Sequence, residues 1–157
     1  MSTVATALAK ERQTLTKSEL LNLSDDFIMK SIRSELKEKL PDCKFSVRKH
    51  VYSGGWSIHV SLVQAPYEVV KDTEDFSGYA QLNSYTLRRS DIEREREEGM
   101  CNGTRLTDYG WETLKEADRI ANQYNWDESD PSTDYFNVNY YLHIEIGQWD
   151  KPFSIRG

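Results

Sequence analysis

Lys44-Phe45-Ser46-Val47-Arg48-Lys49-His50-Val51-Tyr52, the break Ser53-Gly54-Gly55, and then Trp56-Ser57-Ile58-His59-Val60-Ser61-Leu62 form the stretch that decides the fold. Phe45, Val47 and Val51 alternate with Lys44, Ser46, Arg48 and His50. After the glycines, Trp56, Ile58, Val60 and Leu62 alternate with Ser57, His59 and Ser61. A period of two marks a strand with one face buried and the other in water. The glycines between the runs turn the chain back, so an antiparallel pair is predicted. Two registers are open. A Gly54-Gly55 turn sets His50 opposite His59, whereas a Ser53-Gly54 turn sets Arg48 opposite His59. Both keep the same side chains on the same face, because the slip is an even number of residues.

Working outward, Ile28, Ile32 and Leu36 recur at helical spacing between Asp25 and Lys39, with Phe27 beside them. Asp25 and Asp26 suit a helix N-terminus and Pro41 ends the run. Thr16-Lys17-Ser18-Glu19 has capping-box spacing and predicts a short helical turn before it. Beyond the paired strands, Pro66 stops the second one and Tyr67 to Phe76 reads as a short helix turning Val69 and Val70 inward. Residues 79–88 read as a further strand, with Tyr79, Gln81, Asn83, Tyr85 and Leu87 on one face and Leu82 on the other. Ser90-Asp91-Ile92-Glu93 is a second capping box, and the charged run after it reads as a solvated arm. From Thr107 or Asp108 to Tyr124, the positions Gly110, Leu114, Ala117, Ala121 and Tyr124 keep helical spacing, joined by Trp111 and Ile120. An acidic loop, Asn125 to Asp134, leads to a long final strand. There Phe136, Val138, Tyr140, Leu142, Ile144 and Ile146 alternate with Asn137, Asn139, Tyr141, His143 and Glu145.

The plan is an α+β two-layer fold: an antiparallel sheet of at least three strands with two principal helices packed on one face. Residues 1–15 read as a flexible N-terminal segment and 16–157 as a single domain. A length of 157 residues suits one hydrophobic core, and 38% hydrophobic with 29% charged residues is the composition of a water-exposed globular chain. Nine Tyr and four Trp supply large side chains with polar tips. A net charge of -6 argues against general affinity for nucleic-acid phosphates and suits a protein that meets basic surfaces. Cys43 and Cys101 stand far apart without metal-ligand spacing, so reduced thiols are expected. The first residues lack the apolar core of a secretory signal, and no run is long and apolar enough to span a membrane. The expected location is the cytoplasm.

If the final strand joins the first two, the polar face gathers Arg48, His50, Ser57, His59, Asn137, Asn139, Tyr141, His143 and Glu145. Three imidazoles in such an array suggest a zinc site with Glu145 as base. Each histidine, however, occupies a position that alternation alone makes polar, and no dense ligand spacing is present. No metal or other cofactor is therefore assigned. Asn, Tyr, Arg and His on one sheet face also describe a platform for single-stranded nucleic acid, with Lys44, Arg48 and Lys49 nearby. No nucleophile motif, phosphate-binding glycine loop or kinase signature occurs. The acidic loop 127–134 lacks the glycine and terminal glutamate of a calcium-binding loop and reads as solvated. Trp126 in that loop and Trp149 near the end are either exposed anchors for a partner or aromatics that close the sheet ends. The residues expected to carry binding are Arg48, His50, His59, Asn139, Tyr141, His143 and Trp126.

The combination Phe45-Ser46-Val47-Arg48, Ser53-Gly54-Gly55, Ser57-Ile58-His59-Val60 and Pro66 resembles the domains associated with large polyvalent proteins of phages and conjugative elements. Asp134-Tyr135-Phe136, Val138, Tyr140-Tyr141, His143 and Gly147-Gln148-Trp149-Asp150-Lys151-Pro152-Phe153 extend the likeness, which runs from about Lys44 to Phe153. The resemblance implies a mobile-element or phage protein acting inside a bacterial cell and supplies no catalytic residues. It leads to the expectation of a non-enzymatic accessory protein that binds a host protein or protein–nucleic acid complex, an anti-restriction or anti-CRISPR inhibitor being the sharpest form. Direct nucleic-acid binding through the sheet face and a three-histidine metal enzyme are the alternatives.

Overall fold

The computed structural model describes residues 19–20, 22–71, 76–82, 105–125 and 139–155. In chain order these hold α1 (Asp25–Lys39), β1 (Lys44–Tyr52), β2 (Gly55–Ala65), β3 (Ala80–Leu82), α2 (Asp108–Ala121), β4 (Tyr141–Ile146) and β5 (Ser154–Ile155). The sheet order is β1-β2-β4-β3, with β5 paired to the far end of β2.

Helix α1 begins where the sequence supplies a cap. The Ser24 hydroxyl accepts the Phe27 N–H at 3.1 Å, and the acidic pair Asp25 and Asp26 follows at the positive end of the dipole. Its stripe of Ile28, Met29, Ile32 and Leu36 is buried. Helix α2 starts in the same way, with Thr107 Oγ1 accepting the Gly110 N–H at 3.0 Å, and it buries Trp111, Leu114, Ala117, Ile120 and Ala121. Both helices join one core with Val47, Ile58, Val60, Leu62, Ile144 and Ile146 from the sheet. The fold is the α+β arrangement of helices packed on a sheet.

Of the two registers open to β1 and β2, the chain adopts the one with Arg48 opposite His59 and Tyr52 opposite Gly55. The turn is Ser53-Gly54, and Gly54 takes the left-handed φ of +89° that a tight reversal requires. Lys49 shares the face of Val47 and Phe45, but at the margin of the core. Its Nζ lies 2.9 Å from Asp25 at the start of α1 and 5.5 Å from the centre of the Trp56 ring.

The sheet is mixed, not wholly antiparallel. β4 pairs β2 in parallel, Ile58 opposite Leu142 and Val60 opposite Ile144, while β3 pairs β4 antiparallel. The reason is the connection: the chain between β2 and β4 passes through α2, and such a crossover returns a strand in its original direction. The final strand is also shorter than the alternation predicts. Asn139 and Tyr140 precede it, bound to the end of α2: Asn139 Nδ2 donates to the Tyr124 carbonyl at 3.0 Å and the Tyr140 hydroxyl to the Ala121 carbonyl at 2.6 Å. The helix expected from Tyr67 to Phe76 is not formed in its described part. Thr107 N–H donates to the Val69 carbonyl and Lys71 N–H to the Arg105 carbonyl, so that backbone is committed to residues 105–107. The N-terminal segment, the Thr16 capping box up to residue 18, the predicted strand beyond Leu82, the Ser90 capping box, the charged arm, the acidic loop after Asn125, Phe136 and Val138 lie outside the described residues.

Gly110 marks where α2 meets that segment. A Cβ there would stand 2.4 Å from the Val69 carbonyl oxygen and 2.8 Å from its Cα. Alanine gains roughly 1 kcal/mol over glycine in an unhindered helix, but overpacking against rigid backbone costs about 1–3 kcal/mol. Gly110→Ala is therefore expected to destabilise by about 1–2 kcal/mol, read as a lower urea midpoint at unchanged slope. An unchanged or raised midpoint would refute this close packing.

Candidate functional site: a polar groove on the open sheet face

Both helices lie on one side, and among the described residues the opposite face of the sheet carries only the sheet's own side chains. The register arranges them in three rows across β1, β2 and β4. His50, Ser57 and Tyr141 form the first, Arg48, His59 and His143 the second, and Ser46, Ser61 and Glu145 the third. Gln81 of β3 stands beside Glu145.

Glu145 is the anchor of this face, and it is buried at 5% exposure. One carboxylate oxygen accepts the Ser61 hydroxyl at 2.8 Å. The other meets His59 Nδ1 at 3.2 Å, Gln81 Nε2 at 3.4 Å and the Tyr79 hydroxyl at 3.5 Å. A carboxylate out of water needs such donors, since an unpaired charge there is strongly unfavourable. On the other side of the ring, His59 Nε2 lies 3.4 Å from the Ser57 hydroxyl. Serine, imidazole and carboxylate in a chain have the connectivity of an acyl-transfer relay. Ser57, however, is only 2% exposed, so its oxygen has no path to a substrate carbonyl. The chain of bonds holds His59 in one orientation instead.

The three histidines do not surround a common point. His59 and His143 stack, ring centres 4.4 Å apart and planes 17° from parallel, while His50 turns toward Tyr52 at 6.2 Å. Among the described residues no group of three or more His, Cys, Asp or Glu is placed to hold a metal ion. This corrects the three-histidine reading: alternation puts imidazoles on one face without aiming their nitrogens. Burial, and then the neighbouring His59, lower the pKa of His143 below its ordinary value, with Glu145 opposing.

The groove itself has a volume of about 320 Å³ and is lined chiefly by Arg48, His50, His59, Glu145, Gln148 and Trp149. Its rim comes from the excursion between β4 and β5. Gly147, at φ +66°, turns the chain off the sheet, and a Cβ there would lie 1.9 Å from the Gly78 carbonyl oxygen. Gln148 and Lys151 then close a turn by exchanging two backbone hydrogen bonds. Buried Gln148 accepts Arg48 Nη2 at 2.9 Å and donates to Ser46 Oγ at 2.9 Å, tying the excursion to β1. Arg48 also lies 3.7 Å from Asp150, and Trp149 at the tip is 81% exposed. Tyr52 and Tyr141, both exposed, continue the aromatic surface with ring centres 6.4 Å apart.

Of the residues predicted to carry binding, Arg48, His50, His59, Tyr141 and His143 share this face. Asn139 does not, since its amide is engaged at the end of α2, and Trp126 lies outside the described residues. Gln148, Tyr79 and Gln81 were missed as site residues. Their only sequence signal is a polar side chain next to a glycine or on a short strand, which many solvent-exposed positions share. Cys43 offers no nucleophile. Its thiol is 3.3 Å from the Tyr67 hydroxyl, which is also hydrogen-bonded to Thr113, and burial pushes the thiol pKa up. The Tyr67 hydroxyl is pushed up to about 12, burial again being the first cause.

A helix-backed mixed sheet with a polar, aromatic-rimmed face defines a small α+β module with a polar groove. The chain belongs to the family Large polyvalent protein associated domain 29, whose sequence profile it matches over residues 23–121. Neither the curated proteins nor the solved structures contain a match to it. The matched segment starts earlier than the likeness noted in the sequence and takes in α1. It ends with α2, so β4 and its His143 and Glu145 lie beyond it. Family membership places the chain in the phage and mobile-element setting. Among the described residues no helix is long and apolar enough to cross a membrane.

The lowered His143 pKa has a definite sign. The unfolded chain binds the proton more readily, so stability contributed above the ordinary value of 6.5 is lost as pH falls through the lower folded value. Urea midpoints taken between neutral and mildly acidic pH should fall, and His143→Gln should flatten that slope; an identical slope in the variant would count against the His59–His143 stack. Glu145→Gln turns an amide toward donors already in place and should cost about 1–3 kcal/mol of stability. A variant as stable as the parent would mean Glu145 is not the anchor described.

Proposed function

We propose that this chain is a non-enzymatic accessory protein of a phage or mobile element that binds a host protein complex through its open sheet face. The observation that carries the reading is the rigid groove with its exposed rim. Tyr52, Tyr141 and Trp149 offer large apolar surfaces to a partner, and Arg48 sits among them as a positioned cation. Ser57 beneath the surface leaves the polar network to set shape and not chemistry. An inhibitor of a restriction or CRISPR complex is the sharpest form of the proposal. An acidic chain suits a target that uses a basic surface to hold nucleic acid.

The test is capture of partners from a bacterial host carrying such a defence system, with nuclease treatment, using the wild-type chain and the double variant Tyr141→Ala/Trp149→Ala. Both mutated side chains are exposed, so the variant should keep its urea midpoint. The expected result is a stoichiometric protein that survives nuclease and falls at least about tenfold with the variant, a loss of roughly 1.4 kcal/mol or more. Recovery that collapses with nuclease would transfer the reading to single-stranded nucleic acid. Retention by the variant would place the interface elsewhere.

A further inference from the structure

A second groove lies on the helix side of the sheet, where α1 passes the outer edge of β1. Its volume is about 570 Å³, with Leu36, Phe45 and Val47 forming an apolar floor and Arg33, Lys37 and Lys44 standing around it. Asp42 is the single acid among its lining residues. All three cations are exposed, and none makes an ion pair with a described residue. In a chain of net charge -6 this is a local inversion of sign.

The groove also borders backbone to which no described strand pairs. Among the described residues β1 is the outermost strand, with β2 on one side only. The Val47 carbonyl accepts Arg33 Nη2 at 2.8 Å, so it points away from β2. Peptide groups on a strand alternate in direction, which gives Phe45, Lys49 and Val51 the same outward orientation. Arg33 thus occupies the place that a neighbouring strand's N–H would take, a common way of guarding an edge.

We propose that this edge groove docks an extended, acidic segment of a partner protein, added as a strand beside β1. Main-chain bonds go to the outward groups of β1, and an apolar side chain of the segment fills the floor. Its carboxylates meet Lys37, Lys44 and Arg33, which exchanges the Val47 carbonyl for a charged acceptor. A second copy of this chain is the wrong occupant, because pairing two such strands sets Arg33, Lys44 and Lys49 of one against those of the other. The surface is separate from the polar groove and stands whether or not that groove binds the host complex.

The experiment titrates the full chain with a short blocked peptide alternating Glu and Val, following backbone amides by hydrogen exchange. The expected result is slowed exchange, by about tenfold or more, at Phe45, Lys49 and Val51, with Ser46, Arg48 and His50 unchanged. Affinity should fall about tenfold in Lys37→Glu/Lys44→Glu, two exposed changes that should leave the urea midpoint in place. No binding, equal binding of a Lys–Val peptide, or unchanged affinity in the double variant would overturn the proposal. So would protection of the same amides by self-association without peptide, or tighter binding of an oligothymidylate at this groove.

Discussion

Hydrogen bonding between β2 and β4 builds the buried centre of the polar face. The ladder is parallel, so Ser57, His59 and Ser61 meet Tyr141, His143 and Glu145 in the same order along both strands. Reversing β4 would put Glu145 beside Ser57 and leave Ser61 facing Tyr141, and the carboxylate would lose the donors that make its burial tolerable. The stacked imidazoles, the orientation of the His59 ring and the shape of the groove floor follow from that one ladder. On the other face the same pairing brings Ile58, Val60, Leu62, Ile144 and Ile146 together under the helices.

The parts that sequence made legible are those with local causes. Ser24 and Thr107 cap helices whose apolar stripes follow at helical spacing, and both helices stand close to the spans read from the residues. Phe45 through Leu62 announced a paired strand, and only the choice between two turns needed coordinates. Strand direction was not legible, because alternation is the same read either way; it depends on a crossover whose path no local pattern records. Asn139 alternated correctly yet serves α2 as a cap partner, since alternation cannot say where a strand begins. The Val69–Lys71 segment carried apolar residues compatible with a helix, and a distant partner at 105–107 claimed its backbone instead.

The candidate site was half legible for a related reason. Alternation delivered Arg48, His50, His59, Tyr141 and His143 to one face, but it carries no information on ring orientation, and orientation is what separates a stacked pair from a ligand set. Gln148 and Trp149 reach the groove only because Gly147 fits against Gly78, a contact between residues far apart in the chain. The shape of the groove therefore comes from β4 and the excursion after it, while the rings at the rim stay exposed.

β4 lies between β2 and β3, and the family match contains both neighbours but not β4 itself. During synthesis the β2 edge therefore waits for Tyr141–Ile146, and β3, whose described pairing is with β4, has no strand partner until then. The contacts that close the sheet join residues far apart in sequence, which slows this step. Such a nascent chain is exposed to strand-seeking neighbours for that interval. β4, made after both of its neighbours, is the strand that seals the sheet.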